Sequence, residues 1–121
     1  TFEEHGVNAK SLMAIRGRSG ALHTFDIVAT LKSGQLLVVE VIPSRDEVNE
    51  KSVATTFAKI YDIRPTYAGL IAIPKLSENG RKLTRLYKIN LIETAGGEDA
   101  MKKIRKFVVN AVRGRILRFA T

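Results

Sequence analysis

The sequence contains no cysteine, no tryptophan, two histidines and only three prolines. Without cysteine there are no disulfides and no thiolate metal sites, and two histidines with no cysteine partners do not make a structural zinc site; a cytoplasmic setting is expected. No apolar run approaches the roughly 20 residues a membrane-spanning helix needs, and no charged segment followed by an apolar one opens the chain, so no membrane role is expected. Neither a G-x-S-x-G elbow nor a phosphate loop is present, which removes support for acyl transfer and nucleotide hydrolysis. Acid is also missing from one particular place. Residues 101–121 hold seven of the 20 basic side chains and none of the 12 acidic ones, so nearly all of the net charge of +8 sits there. Such a block suits polyanions, above all nucleic-acid phosphates.

What is present suits one domain spanning 1–121, in which the basic segment 98–121 packs as a helix and tail. Because it begins at Thr1, the chain is expected to be a piece of a longer one. The pattern predicts a strand at 11–17 closed by the turn "GRSG", then β-branched runs at 23–32 and 35–42 separated by a glycine turn. Ser44 and Glu47 have capping-box spacing before a helix in which Val53, Ala54, Phe57, Ala58 and Tyr61 recur at helical intervals, and Arg64-Pro65 ends it. "YAGLIAIP" (67–74), apolar on both faces, reads as a central strand. A helix at 77–88 turns Leu83, Leu86 and Tyr87 inward, and "INLIE" (89–93) is a short strand. A last helix at 98–112 has Ile104, Phe107, Val108, Ala111 and Val112 on one side, with Lys102, Lys103, Lys106 and Arg113 on the other. The fold class is α/β: a mixed sheet, a three-strand meander followed by strands joined through helices, with helices on its faces.

Two carboxylates, Asp26 and Glu40, stand inside the core-like runs of the hairpin. Their relation depends on the turn. A two-residue loop at Ser33-Gly34 would set Asp26 opposite Val41; a three-residue loop at Lys32-Ser33-Gly34 pairs Leu31 with Gln35 and sets Asp26 opposite Glu40. Glycine at the third position, where a left-handed residue is wanted, favours the second. Two charges about 5 Å apart repel by roughly 3 kcal/mol at an effective dielectric near 20, so a partner is expected. A divalent cation, a proton that raises one carboxyl's pKa or a nearby arginine would serve, and ordinary ion pairs to Arg16, Arg18 or Lys51 are the plainer outcome. Oxygen ligands on two strands suit Mg²⁺ as used in phosphodiester cleavage. His23, three residues before Asp26, is expected on the opposite strand face as a hydrogen-bonding or packing residue, and Glu3 or Glu4 near His5 is a further candidate acid.

On "GRSG…HTFD", "VVEV", "FAKIYDIRPTYAGLIAIPKL" and "YKINLIE" the chain resembles the PD-(D/E)XK nuclease-like superfamily over about residues 11–95. The resemblance is to an archaeal branch with restriction-endonuclease-like domains and proteins described as TATA-binding-protein-interacting. It implies metal binding at Asp26 and Glu40. The family's lysine two residues after the glutamate is replaced by Ile42, so Lys51 becomes the candidate substitute and Arg16 and Arg18 candidate neutralising or phosphate-contacting bases. Three readings follow from it. The first is a catalytically degenerate nuclease-fold domain that binds DNA or another nucleic acid, or a transcription-factor partner, as a monomer or homodimer, with phosphate contacts from Arg16, Arg18, Lys102, Lys103, Lys106 and Arg113. The second is an active Mg²⁺-dependent DNA endonuclease with a displaced lysine. The third is a protein-interaction module gripping an acidic partner through 101–121.

Overall fold

A computed structural model describes residues 8–32 and 34–119. Five strands form one sheet in sequence order: β1 (Asn8–Arg16), β2 (Leu22–Thr30), β3 (Leu36–Pro43), β4 (Tyr67–Ile73) and β5 (Asn90–Glu93). β1, β2 and β3 are antiparallel neighbours, and β3, β4 and β5 run parallel. This is the mixed sheet that the alternation of strands and helices predicts. Helix α1 (Glu50–Ile63) joins β3 to β4 and α2 (Glu78–Tyr87) joins β4 to β5. Strand order advances one way without reversal, so two crossovers of the same hand place α1 and α2 on the same face. Helix α3 (Gly97–Val112) follows the last strand and packs on the other.

The two cores follow from this layering. Phe25, Val38, Ala68 and Leu70 face Val53, Phe57, Ile60, Leu83 and Tyr87, whereas Leu37, Val39, Tyr67 and Ile71 face Ile104, Phe107, Val108 and Ala111. β4 is buried over its first six residues, as a strand covered on both faces must be. The tail then passes round the sheet: Ile116 packs in the α3-side core, and Phe119 is buried in the α1-side core. Asn90 holds that passage, its Nδ2 donating to Leu117 O at 2.9 Å and its Oδ1 accepting from Leu117 N at 3.0 Å.

Three local expectations are corrected. The first helix begins at Glu50, capped by Asn49, whose Oδ1 accepts from Ser52 N at 3.1 Å, and not at a Ser44–Glu47 box. Ser44 Oγ donates instead to Glu47 O, and Val48 makes a parallel bridge with Leu76. Leu86 is 69% exposed and Val112 37%, so neither belongs to the core. The helix does end at Arg64, which is left-handed (φ 52°) and therefore compatible with the proline that follows.

Candidate active site

The site is built on the β2–β3 hairpin, and its register is that of the three-residue loop. Ile27 pairs with Val39, Val28 with Val38 and Thr30 with Leu36. Leu31 N donates to Gln35 O at 2.8 Å, and Gly34 takes φ +82°. Continued by one step, this ladder sets Asp26 beside Glu40. There the regular pairing stops. In place of a main-chain carbonyl, Asp26 Oδ2 accepts the Val41 N–H at 2.7 Å, and opposite it on β1 Leu12 has φ +50°. The side-chain alternation of β2 changes phase across this point, because Phe25 and Val28, three residues apart, both enter the α1-side core.

Glu40 is bound by Lys59, a residue of α1 that the sequence reading passed over. The Lys59 ammonium donates to Glu40 Oε2 and, at 2.5 Å, to the Thr24 carbonyl, and lies 4.6 Å from the centre of the Phe25 ring. The side chains are only 23% and 15% exposed for Lys59 and Glu40, so the pair is largely shielded from solvent. Burial pushes the Glu40 carboxyl above its ordinary range; the Lys59 ammonium opposes this, and the neighbouring Asp26 carboxyl adds to it. Asp26 Oδ1 has no protein donor among the described residues.

Beside the pair runs an open groove of about 410 Å³, lined by Glu40, Ile42, Asn49, Lys51, Thr56 and Lys59 among others. Ile42, two residues after Glu40, packs against the α1-side core. Lys51 lines the groove but is exposed and pairs with no described carboxylate. Arg16 and Arg18 are exposed as well; Arg16 Nη1 donates to Gly20 O at 2.6 Å. The cation on Glu40 is therefore neither Lys51 nor a β1 arginine but Lys59, three residues beyond the buried Thr56 on the helix flank that faces β2. That position was open to discovery only once the side of the sheet carrying α1 was known. Lys102 and Lys106 on α3 and Arg113 at its C-cap are exposed, across the sheet from Glu40; Lys103 bends back to Glu93 O at 2.8 Å and Asp99 at 3.1 Å. Glu3, Glu4 and His5 lie outside the described residues.

A second cluster ties the β1–β2 turn to the end of α1. Asp62 accepts from Ser19 N at 2.9 Å and Ser19 Oγ at 2.7 Å, and its Oδ2 lies 2.7 Å from His23 Nε2. His23 thus lies on the α1 side, contrary to the face its spacing from Asp26 implies; the phase change in β2 is the reason. The Ser19 and His23 hydrogen bonds lower the Asp62 pKa from 3.8 to about 2. A depressed carboxyl contributes stability above its unfolded value that disappears as pH falls through the folded one. The clamp should therefore be at full strength above about pH 4 and be lost towards pH 2. Chemical denaturation between pH 5 and 2 should show this loss in the native chain. It should be absent in Asp62→Asn and in Gly17→Ala, whose new Cβ would sit 2.0 Å from Asp62 Oδ2; parallel pH profiles for all three would exclude the clamp.

No family model matches the chain, and no curated protein does. Among solved structures it is similar to one described as the protein of unknown function AF1548, with a TM-score of 0.67 and 19% identity over 96% of this chain and 73% of that one. It is also similar to a repair endonuclease from Pyrococcus abyssi, with a TM-score of 0.47 and 16% identity over 69% of this chain and 38% of that one. Among the described residues no helix is long and apolar enough to cross a membrane. The first likeness covers nearly the whole chain and bears on the fold alone, and it agrees with the strand order above: a mixed α/β sheet in which, among the described residues, three antiparallel strands are continued by parallel ones and flanked by three helices.

Proposed function

We propose that this chain is a nucleic-acid-processing domain that cleaves phosphodiester bonds with a divalent cation, and that Lys59 takes the part of the missing strand lysine. The observation that carries this reading is the delivery of a shielded ammonium from α1 onto Glu40, beside Asp26 and at a groove open to solvent. The donor set fits a hard cation: two carboxylates from adjacent strands, of which Asp26 has one oxygen with no protein donor among the described residues. Asp26 and Glu40 would hold Mg²⁺, which supplies polarisation of the phosphate and a more acidic bound water.

The chain's own groups do the rest. Lys59 offsets negative charge on the phosphate oxygens and donates to the attacking water. The proton lost by the attacking water passes to solvent at the open side of the groove, and the departing oxygen takes one up. Water adds to phosphorus as the bond to the leaving oxygen breaks, giving one phosphate end and one hydroxyl end.

The degenerate reading keeps one observation in its favour: Glu40 is already neutralised by Lys59. In that case Lys59 is a permanent counter-ion, and the domain binds nucleic acid, or a partner in an archaeal transcription or restriction setting, without cutting. The experiment is cleavage of labelled single-stranded, duplex and branched DNA and RNA with Mg²⁺ or Mn²⁺. Cation-dependent cutting that Asp26→Asn and Glu40→Gln each reduce at least 100-fold is the expected result. Binding without cutting on every substrate would establish the counter-ion reading instead.

A further inference from the structure

We propose that the outward face of α3 is a nucleic-acid contact separate from the Glu40 groove, held by Lys102, Arg105, Lys106 and Arg113. This inference rests on the nucleic-acid reading above and adds a second surface to it. α3 buries Phe107, Val108 and Ala111 against the sheet face opposite the one that carries Glu40 and Lys59. At 3.6 residues per turn Lys102, Lys106 and Arg113 fall in one line on the reverse side, with Arg105 beside it. All four are exposed. The line spans about 16 Å, or roughly five base-pair steps of a duplex.

The local acids do not compensate this stripe. Residues 100–121 contain none. Glu98 and Asp99 stand in the first turn, and Asp99 is engaged by Thr94 Oγ1 at 2.5 Å and by Lys103. Lys103 is drawn inward to the Glu93 carbonyl and leaves the stripe. What remains is a one-signed ridge complementary to a phosphate backbone and unable to reach the groove, because a sheet and a helix layer lie between. A duplex seated on α3 is a different segment from one seated at Glu40.

The test is binding stoichiometry of a random-sequence 12-base-pair duplex to the full chain at low salt with Ca²⁺ in place of Mg²⁺, by native mass spectrometry and fluorescence anisotropy. Two variants are compared with the parent: Lys102→Glu/Lys106→Glu/Arg113→Glu on α3, and Glu40→Gln/Lys59→Ala in the groove. The expected result is two duplexes per chain for the parent and one for each variant. The α3 variant should bind at least tenfold more weakly at its own surface, with a salt slope shallower by about 2.7, at roughly 0.9 per phosphate contact. A single duplex lost in the α3 variant and kept in the groove variant supports the α3 contact and removes the groove from nucleic-acid binding. A single duplex that survives α3 charge reversal overturns the proposal, as does one that either variant abolishes. Retention of poly-glutamate with no duplex bound also overturns it, in favour of an acidic protein partner.

Discussion

Lys59→Met is expected to destabilise the fold by about 2 kcal/mol at neutral pH and to reduce cation-dependent cleavage at least 100-fold. The stability effect comes from Glu40, not from the lysine. Removing one partner of a fully buried ion pair costs about 3–5 kcal/mol, because a charge is left without compensation. Here the pair retains some solvent contact, so a smaller value applies. Glu40 already has a raised pKa through burial, and loss of the ammonium that opposes this raises it further. A group with a raised folded pKa loses its stabilising contribution as pH rises through that value. The Lys59→Met defect should therefore shrink towards pH 4.5 and grow above it, the opposite sign to the Asp62 clamp, whose contribution is lost below about pH 4. Urea denaturation across pH 4–8 reads it out. The double variant Lys59→Met/Glu40→Gln should recover most of the lost stability while remaining inactive. A Lys59→Met chain as stable as the parent at pH 7.5 would show that the pair does not form.

Phe107→Ala should have the largest effect on stability, about 3–5 kcal/mol, or a fall of roughly 10–20 °C in Tm. The ring is 7% exposed and sits directly over Gly69, where even a Cβ would come within 3.0 Å of Cε2 and Cζ. Together with Val108 and Ala111 it joins α3 to Leu37, Val39 and Ile71. Its removal leaves a ring-sized cavity between a helix and a strand that cannot close further without moving main chain. Because the ring lies across the sheet from Glu40, residual activity per folded molecule should stay unchanged at temperatures where the variant is folded. Thermal unfolding followed by circular dichroism decides the matter. A loss below 1 kcal/mol would mean that α3 does not dock through this ring.

Those two residues also mark how far the sequence could be read. Phe107 was legible, since its spacing with Ile104, Val108 and Ala111 is that of a single buried stripe. The hairpin register was legible too, because one glycine at the third loop position discriminates between two pairings, and Gly34 adopts the conformation that pairing needs. Lys59 was not. Its function depends on which side of the sheet α1 occupies and on a long side chain crossing to a strand 19 residues earlier. Lys51 was the nearer choice in sequence, but it remains at the solvent side of the same groove.

The start of α1 was hidden for another reason. Val48 N donates to Lys75 O and Ser77 N to Val48 O, both at 2.8 Å, so the segment after β3 is taken up in pairing with the segment after β4. That tertiary demand outweighs a local cap, and no short pattern announces it. His23 was assigned to the wrong face because strict alternation was carried through Asp26, where a side-chain oxygen interrupts the ladder.

The passage of residues 113–119 from one face of the sheet to the other has a mechanical consequence. Phe119 lodges beside Phe57 of α1, with ring centroids 6.0 Å apart, while α3 lies at the far end of the same short strap. Tension applied to α3 is therefore met first by Asn90 of β5, whose two hydrogen bonds hold Leu117, and only beyond it by the Phe119 ring beside the helix that bears Lys59. A load on α3 would thus be grounded in the sheet, at Asn90 and at the Thr66 carbonyl that accepts from Phe119 N, before it reached the aromatic plug.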